Sequence, residues 1–443
     1  MTETPVPSLT IRSKDRGPLL DALRNGVVPY RGAHLIQVGR GRELEALHTS
    51  IKQIKNGAGA VRFVIGDYGA GKTFFLHLVR SIAHKEDLVT VHADLTPDRR
   101  LQGSQGRARR LYSTLMANMA TRGKPGGRAL TTVVEKFVTQ VRRDAEANGT
   151  TVEHQLSERL WGLREFPGGP SFAKVIEAYW RSHVHQDEEL RAHALRWPSA
   201  QYAKKTEASR DLGVSEIIDD RSLFDHLKLM AAFTTMAGYR GLLVCFDELV
   251  NLYKLSHKGS RHANYEQILN IINDTQQGRA EYIGFLFGGT PEFLEDPLRG
   301  LYSYEALRSR LEENPYATGG LVDFHGPVMR LSHFTKEHFY ELLRKVRHVY
   351  ASGDPAKHPL PDEAIEAFMR HCEERVGDAY FRTPRSTIKQ FIGLMDVLVQ
   401  NENADWRTLL TQMEVVKETN PDLQPLDPED DVDNDSPLAS FRL

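Results

Sequence analysis

Residues 66–73 contain the feature that most constrains the fold of this chain, a glycine-rich segment with the spacing G-x-x-x-x-G-K-[ST]. The run before it, 61–65, is β-branched and aromatic as a strand should be, and the residues from Phe74 onward have helical spacing. Strand, loop and helix therefore follow in the order that this motif requires. The glycines let successive backbone N–H groups face one anion together with the N-terminus of the helix. The segment thus predicts a phosphate-binding loop for a nucleoside triphosphate, and its flanks argue against a glycine-rich turn with a chance lysine.

Two positions of this loop have specific expected roles. Lys72 should reach the β- and γ-phosphates of ATP, and Thr73 should place its hydroxyl on Mg²⁺. The residues expected to contact ATP are Gly66, Asp67, Tyr68, Gly69, Ala70, Gly71, Lys72, Thr73 and Phe74.

A second strand end carries the acids that such a site needs. The run 242–246 is apolar and uncharged, which suits a central parallel strand buried on both faces, and it ends in Asp247 and Glu248. This pattern predicts that Asp247 holds Mg²⁺ through water and that Glu248 acts as general base or orients the attacking water. A solvated turn or a helix N-cap pair is the alternative interpretation. The phosphate loop elsewhere in the chain favours the metal site.

Three further polar residues are candidates for phosphate contacts. Thr290 follows the apolar run 282–287 and is placed to contact the γ-phosphate or the attacking water, unless it is only a turn threonine before a proline. Arg308 and Arg310 project from the same turn of a short predicted helix. An arginine supplied to a neighbouring subunit would neutralise charge on the transferred phosphoryl group, and Arg310 is preferred over Arg308 for this role. Two solvated surface arginines are the alternative.

Arg385 occupies an unusual place in a predicted helix. Thr383 suits an N-cap and Pro384 suits the first helical position, so Arg385 lies in the first turn. A cation there is unfavourable against the helix dipole unless an anion lies nearby. The position therefore indicates an anion contact.

Taken together, these segments resemble the ATP-binding protein family of BREX phage-defence systems, the BrxD-like P-loop proteins of the wider AAA+ class. The resemblance covers most of the chain. Only the phosphate loop and the Asp247-Glu248 pair are specific in themselves, and the other segments gain weight from their order. In chain order, the segments that carry the resemblance are 23–29, 38–40, 66–73, 246–249, 289–293 and 383–385.

The resemblance implies further roles. In AAA+ lids an arginine at the place of Arg385 touches the γ-phosphate, and relatives use the segment at Val38 and Gly39 to line the adenine base. It also implies a bacterial cytoplasmic ATPase with a helicase-like or DNA-modification partner. The candidate arginine finger leads us to expect a homo-oligomer.

Length and composition agree with a cytoplasmic enzyme. The chain has 443 residues and 40% hydrophobic residues, enough for a core with additional regions, and a net charge of -2 does not by itself indicate nucleic acid. Cys245 and Cys372 are the two cysteines, so no disulfide framework is expected and a reducing compartment fits. We expect neither secretion nor a membrane span, because the N-terminal sequence lacks a signal pattern and no run of 18 apolar residues occurs.

The expected fold is α/β: an AAA+ type P-loop core with a parallel sheet, a long helical insertion and a C-terminal helical lid. The stretch from the predicted strand at 88–94 to the next at 242–246 is far too long for one βαβ unit, which predicts the insertion. The expected regions are 1–96 for the N-terminal segment and first part of the core, 97–215 for the insertion, 216–333 for the second part of the core, 334–411 for the lid and 412–443 for an acidic, disordered tail.

The stretch 99–128 is rich in arginine and contains no acid. Its glycines indicate that part of it is loop, which suits contact with a phosphate backbone. A solvated surface of the helical insertion is the alternative. The residues proposed to contact double-stranded DNA are Arg99, Arg100, Arg107, Arg109 and Arg110.

Two classes of function remain open at this point. In the first, a Mg²⁺-dependent ATPase remodels DNA or a partner complex, with Glu248 as its catalytic carboxylate. In the second, a nucleotide-gated scaffold binds ATP to assemble a defence complex with little turnover. The intact carboxylate favours the first class, and the absence of an obvious DNA-reading motif leaves room for the second.

Overall fold

A computed structural model describes residues 11–319, 321–376 and 384–413. Its strands are β1 (Ala60–Ile65), β2 (Val89–Asp94), β3 (Leu242–Asp247), β4 (Ile283–Gly289) and β5 (Val328–Arg330). They form one parallel sheet in the order β2-β3-β4-β1-β5. The predicted α/β class with a parallel sheet is confirmed.

The two central strands are the most apolar, as their sequences predict. Every residue of β3 and β4 is buried. In the parallel register Val244 of β3 lies opposite Val91 of β2 and Phe285 of β4. The Phe246 and Phe287 rings stack with their centroids 5.4 Å apart. Continuous apolar runs suit strands that are covered on both faces.

The chain divides into two compact units. Among the described residues, the first unit takes in 11–45, 65–78 and those from 330 onward, and the second takes in 46–64 and 79–329. The helices nearest β1 in the chain are α1 (Ser13–Arg24), α2 (Gly41–Lys55) and α3 (Lys72–Lys85).

The long stretch between β2 and β3 is helical. Apolar residues at helical spacing form its buried faces: α5 buries Val133, Phe137 and Val141, and α7 buries Phe172 and Ile176. The helices are α4 (Arg107–Ala117), α5 (Leu130–Asn148), α6 (Val152–Leu160), α7 (Gly169–His185), α8 (Glu188–Arg196), α9 (Lys205–Leu212) and α10 (Leu223–Met236), with a 3-10 turn at Trp161–Glu165.

The remaining helices of the second unit flank β4. They are α11 (Val250–Tyr253) and α12 (Lys258–Gln276) before β4, and α13 (Pro291–Glu295) and α14 (Glu305–Leu311) after it.

The first unit is built around the C-terminal helices α15 (Lys336–Tyr350), α16 (Asp362–Val376), α17 (Pro384–Gln400) and α18 (Trp406–Gln412). Helix α1 shares their core, because Leu19 and Leu23 belong to the same buried cluster as Phe339 and Phe391. Polar contacts add to this packing: Arg24 donates to the Asp396 carboxylate at 2.8 Å. The N-terminal helix therefore packs with helices more than 300 positions later in the chain.

Two sequence expectations lie outside the described residues. They are the cap at Thr383 and nearly all of the acidic tail at 412–443. Within the described part of the chain, no helix combines the length and apolarity that crossing a membrane would require.

Candidate nucleotide site

The phosphate loop adopts a conformation that its glycines make possible. Gly69 and Gly71 have φ angles of 81° and 84°, in the left-handed region that a side chain rarely adopts. A Cβ at Gly66 would lie 3.3 Å from both Ala70 and Leu331, so this position also lacks room for a side chain. Helix α3 begins at Lys72, directly after the loop, and its first turn contains no acid. The loop thus ends on the positive end of a helix dipole.

The Lys72 ammonium folds back over this loop. It donates to the backbone oxygen of Gly66 at 2.8 Å and to that of Asp67 at 3.1 Å. The cation is therefore held beside the loop backbone, where a bound phosphate could exchange for the carbonyl contacts.

Two residues that the sequence analysis missed contact the loop: Arg40, directly before α2, and His333, in the segment after β5. Arg40 is 6% exposed and donates to the backbone oxygens of Ala70 and Ser332. Burial lowers the pKa of Arg40, opposed by the nearby Glu43 carboxylate. His333 Nε2 lies 2.5 Å from the Asp67 carboxylate. Arg40 could have been found from its place beside Val38 and Gly39, whereas nothing in the sequence marks His333.

The residues proposed to line adenine also pack within the first unit. Val38 is 8% exposed and belongs to the apolar core of the first unit. Gly39 has a φ of 67°, and a Cβ there would lie 3.0 Å from the His338 ring. Phe74 packs against the same core. The close approach of His338 explains why this position is glycine.

Arg385 is exposed in the first turn of α17, as predicted from Pro384. A Cβ at Gly26 would lie 3.3 Å from its Cγ, so its alkyl stem runs along the segment after α1. The guanidinium is free of a strong internal ion pair within the described residues, which leaves its charge available for an anion.

In the second unit, Asp247 and Glu248 form a tight turn at the end of β3. Asp247 is 7% exposed, and its Oδ1 accepts from the Glu248 backbone N–H at 2.9 Å. Glu248 has a φ of 58°, a left-handed conformation that is uncommon for a residue with a side chain. The next N–H, that of Leu249, donates to the backbone oxygen of Gly288 at 3.1 Å. This bond ties the acidic pair to the end of β4.

Thr290 lies two residues after Gly288 and is 3% exposed. Its Oγ1 accepts from the Phe293 N–H at 3.4 Å, which makes it the N-cap of α13. A capping hydroxyl still has its own proton to donate, so the cap and a phosphate or water contact are compatible. The structure therefore brings Asp247, Glu248 and Thr290 to one edge of the sheet.

The two candidate finger arginines differ in how the fold uses them. Arg310 donates to the Asn273 side chain and to the Ala306 backbone oxygen, each at 2.7 Å. Arg308 has a side chain that is 52% exposed and lies 3.9 Å from the Glu312 carboxylate. Arg308 is therefore the freer of the two, the reverse of the preference drawn from the sequence.

The first half of the arginine-rich stretch is used within the fold. Arg100 and Arg107 are 1% and 6% exposed, so these two side chains are not available to a DNA duplex in this conformation. Arg109 donates to the Ala200 backbone oxygen at 3.2 Å, and Arg110 donates to the Asp98 backbone oxygen at 3.2 Å. Arg99 is half-buried beside Thr96.

An acid from a distant part of the chain binds the backbone of this stretch. The Asp220 carboxylate accepts from the Gly106 N–H at 2.6 Å and from the Arg109 N–H at 2.9 Å. The run lacks acids in sequence, but Asp220 supplies one in space.

The phosphate loop of the first unit has groups suited to a phosphate-bearing ligand, and the strand-end carboxylate of the second unit is a donor suited to a divalent cation. The positive-φ glycines, the helix N-terminus and Lys72 form an anion cradle, and Asp247 presents a nearly buried carboxylate at a strand end. A comparison with curated protein sequences gives no match. The sequence profile of the family described as BREX system ATP-binding protein BrxC/D matches residues 11–414. The match spans most of the chain, so the protein belongs to the BrxC/D family of BREX system ATP-binding proteins.

Proposed function

We propose that this BrxC/D family member binds ATP and hydrolyses it with Mg²⁺, and that turnover serves a BREX phage-defence system. The observation that carries the proposal is the sheet order. Strands β3 and β4 are parallel neighbours, so the acids after β3 and Thr290 after β4 leave the sheet at its carboxyl edge. Ligands of parallel α/β sheets bind outside this edge.

Each residue then has a defined task. The loop N–H groups and Lys72 bind the β- and γ-phosphates, and Glu248 accepts a proton from the water that attacks the γ-phosphate. Thr290 donates its hydroxyl proton to that water or to the γ-phosphate. Thr73 and Asp247 would hold Mg²⁺, which neutralises charge on the phosphates when it is bound.

The backbone of Glu248 supports a catalytic role. A left-handed conformation costs a residue with a side chain about 1–3 kcal/mol and tends to occur where function requires it. A glycine would avoid this cost, yet the chain has a glutamate. We infer that the carboxylate itself is needed at this point of the turn.

We further propose an AAA+ arrangement, with α15–α18 as a lid and the helices between β2 and β3 as an insertion. In this arrangement Arg385 contacts the γ-phosphate within the chain, and Arg308 or Arg310 acts on a neighbouring subunit of a homo-oligomer. The exposed guanidinium of Arg308 makes it the first choice.

The work that hydrolysis drives is proposed to be the remodelling of DNA or of a helicase or modification complex in the cytoplasm. A nucleotide-gated scaffold with little turnover is the second candidate. It is favoured by the internal use of Arg310, whose guanidinium donates to Asn273 within the fold.

Glu248→Gln separates these candidates. The amide keeps the shape and removes the base, so an ATPase should still bind MgATP but lose turnover steeply. Phosphate release and ATP affinity, measured on parent and variant with and without DNA, give the answer. Equal turnover in parent and variant would exclude Glu248 as the catalytic carboxylate. A parent that binds ATP tightly and releases no phosphate under any condition would support the scaffold.

A further inference from the structure

The cations that remain exposed in the arginine-rich stretch lie in its second half. Arg122, Lys124 and Arg128 are exposed in the loop between α4 and α5, and Arg240 is exposed in the turn that leads into β3. These four residues are called the amino-edge patch here, because β2 and β3 begin beside them.

Three contacts place these segments together. The Arg240 N–H donates to the Asp87 backbone oxygen at 3.0 Å, and Arg122 Nη1 lies 4.0 Å from the Asp87 carboxylate. The Tyr239 side chain makes a hydrogen bond with Thr121, next to Arg122. The loop and the turn before β3 therefore meet around Asp87.

The loop is anchored at its base. Ala120 and Thr90 exchange backbone hydrogen bonds of 2.8 and 2.9 Å, which pin the loop to β2. At the other end the Ala129 N–H donates to the Met119 oxygen at 2.8 Å. Lys136 Nζ lies 3.7 Å from the centre of the Tyr239 ring and fastens the neighbouring turn. Binding of a partner to the patch therefore requires little additional ordering of the loop backbone.

The charge of the patch is almost unopposed. Asp87 faces Arg122, but both side chains are more than 60% exposed, and an exposed pair at 4.0 Å contributes little. The side chains of Lys124, Arg128 and Arg240 form no ion pair with any residue that the structure describes. This contrasts with Arg100, which is buried.

We propose that the amino-edge patch binds the phosphate backbone of double-stranded nucleic acid. Flexible cations beside a glycine-containing loop offer charge without an ordered set of base contacts, so sequence preference is slight. Tyr239 is half-buried under Lys136 and offers no free ring for stacking, which disfavours single strands.

The proposal refines the DNA partner of the proposed function but does not depend on ATP turnover. Leu242 and Asp247, the first and last residues of β3, lie about 17 Å apart along the strand at about 3.3 Å per residue, and Arg240 precedes Leu242. Binding of a duplex can therefore be measured without nucleotide, and nucleotide binding can be measured without a duplex.

The test is fluorescence anisotropy on the full chain with short labelled duplexes of two unrelated sequences, at salt concentrations from about 50 to about 200 mM. The variant is Lys124→Glu/Arg128→Glu/Arg240→Glu. The matched control is Arg142→Glu/Arg143→Glu, which reverses two exposed arginines of α5. ATP affinity of each protein reports that the fold and the nucleotide site are intact.

The parent should bind both duplexes with similar affinity and a steep salt dependence. Three lost phosphate contacts lower the log-log slope by about 2.7, so over this fourfold range of salt the parent should weaken about 40-fold more than the variant. The control should follow the parent. Equal slopes in parent and triple variant would overturn the assignment of this patch, and so would a parent that binds ATP but no duplex at low salt.

Discussion

Replacing Glu248 by glycine should stabilise the protein relative to Glu248→Ala, although both changes remove the proposed base. At a φ of 58° an alanine pays the left-handed cost of about 1–2 kcal/mol, whereas a glycine does not. Glycine loses more conformational entropy on folding than alanine, which lowers the free energy of unfolding of the glycine variant by about 0.4–1 kcal/mol. The balance is a free energy of unfolding about 0.8 kcal/mol higher for the glycine variant.

The sign of this difference is the informative quantity. At an ordinary helical position glycine is about 1 kcal/mol less stable than alanine. Arg143, exposed within α5, provides that reference as Arg143→Gly and Arg143→Ala. The two pairs should therefore differ by nearly 2 kcal/mol, in opposite directions, a contrast that does not depend on the absolute stability of the chain.

Urea unfolding followed by far-UV circular dichroism measures each pair, and phosphate release measures activity. We expect no turnover in either Glu248 variant despite the gain in stability of the glycine one. If Glu248→Gly is less stable than Glu248→Ala by the margin found at Arg143, the turn does not hold a left-handed residue and the argument from strain to catalysis fails.

Three other predictions follow from the geometry. Lys72→Ala should weaken ATP binding at least about tenfold in calorimetry, because it removes the cation beside the phosphates. The control Lys85→Ala, at the other end of α3, should not change the affinity. Unchanged affinity in Lys72→Ala would rule out the phosphate-loop assignment. Mixing Lys72→Ala protein with Arg308→Ala or Arg310→Ala protein should restore hydrolysis at mixed interfaces. Arg310→Ala alone should also lower the stability of the protein, because it loses the hydrogen bond to Asn273. If mixing gives no rescue and the ATP-bound form is a monomer, catalysis takes place within one chain. Burial lowers the pKa of His84 to about 4, so the unfolded state binds more protons and stability is fully present above pH 6.5 and lost as the pH falls toward 4, by about 3 kcal/mol. In the His84→Gln variant the urea unfolding midpoint should vary less with pH over that window than in the parent. Equal pH dependence of the midpoint in parent and variant would contradict a neutral, buried histidine.

Features encoded by neighbouring residues could be predicted from the sequence. The phosphate loop needs glycines at fixed places, and β3 needs an apolar run that ends in acids, so both could be located without the structure. The helical faces of α5 and α7 follow from their spacing in the same way.

Contacts between distant positions could not be predicted. Arg40 reaches Ser332 across 292 positions, and His333 reaches Asp67 across 266. No spacing rule links such pairs, because their proximity depends on how strands and helices pack. The pairing of α1 with the C-terminal helices has the same origin.

Two helix N-termini show how such distant contacts change what a helix N-terminus can bind. Helix α4 begins with arginines, which would suit an anion site, but the Asp220 carboxylate accepts from the backbone N–H groups of Gly106 and Arg109 and supplies the anion internally. Helix α3 has no acid in its first turn, and it follows a loop whose glycines are in left-handed conformations beside Lys72. An external phosphate would have to displace a carboxylate at α4, whereas at α3 it would replace carbonyl contacts of a lysine. The same chemistry is therefore structural at one helix and suited to a nucleotide at the other.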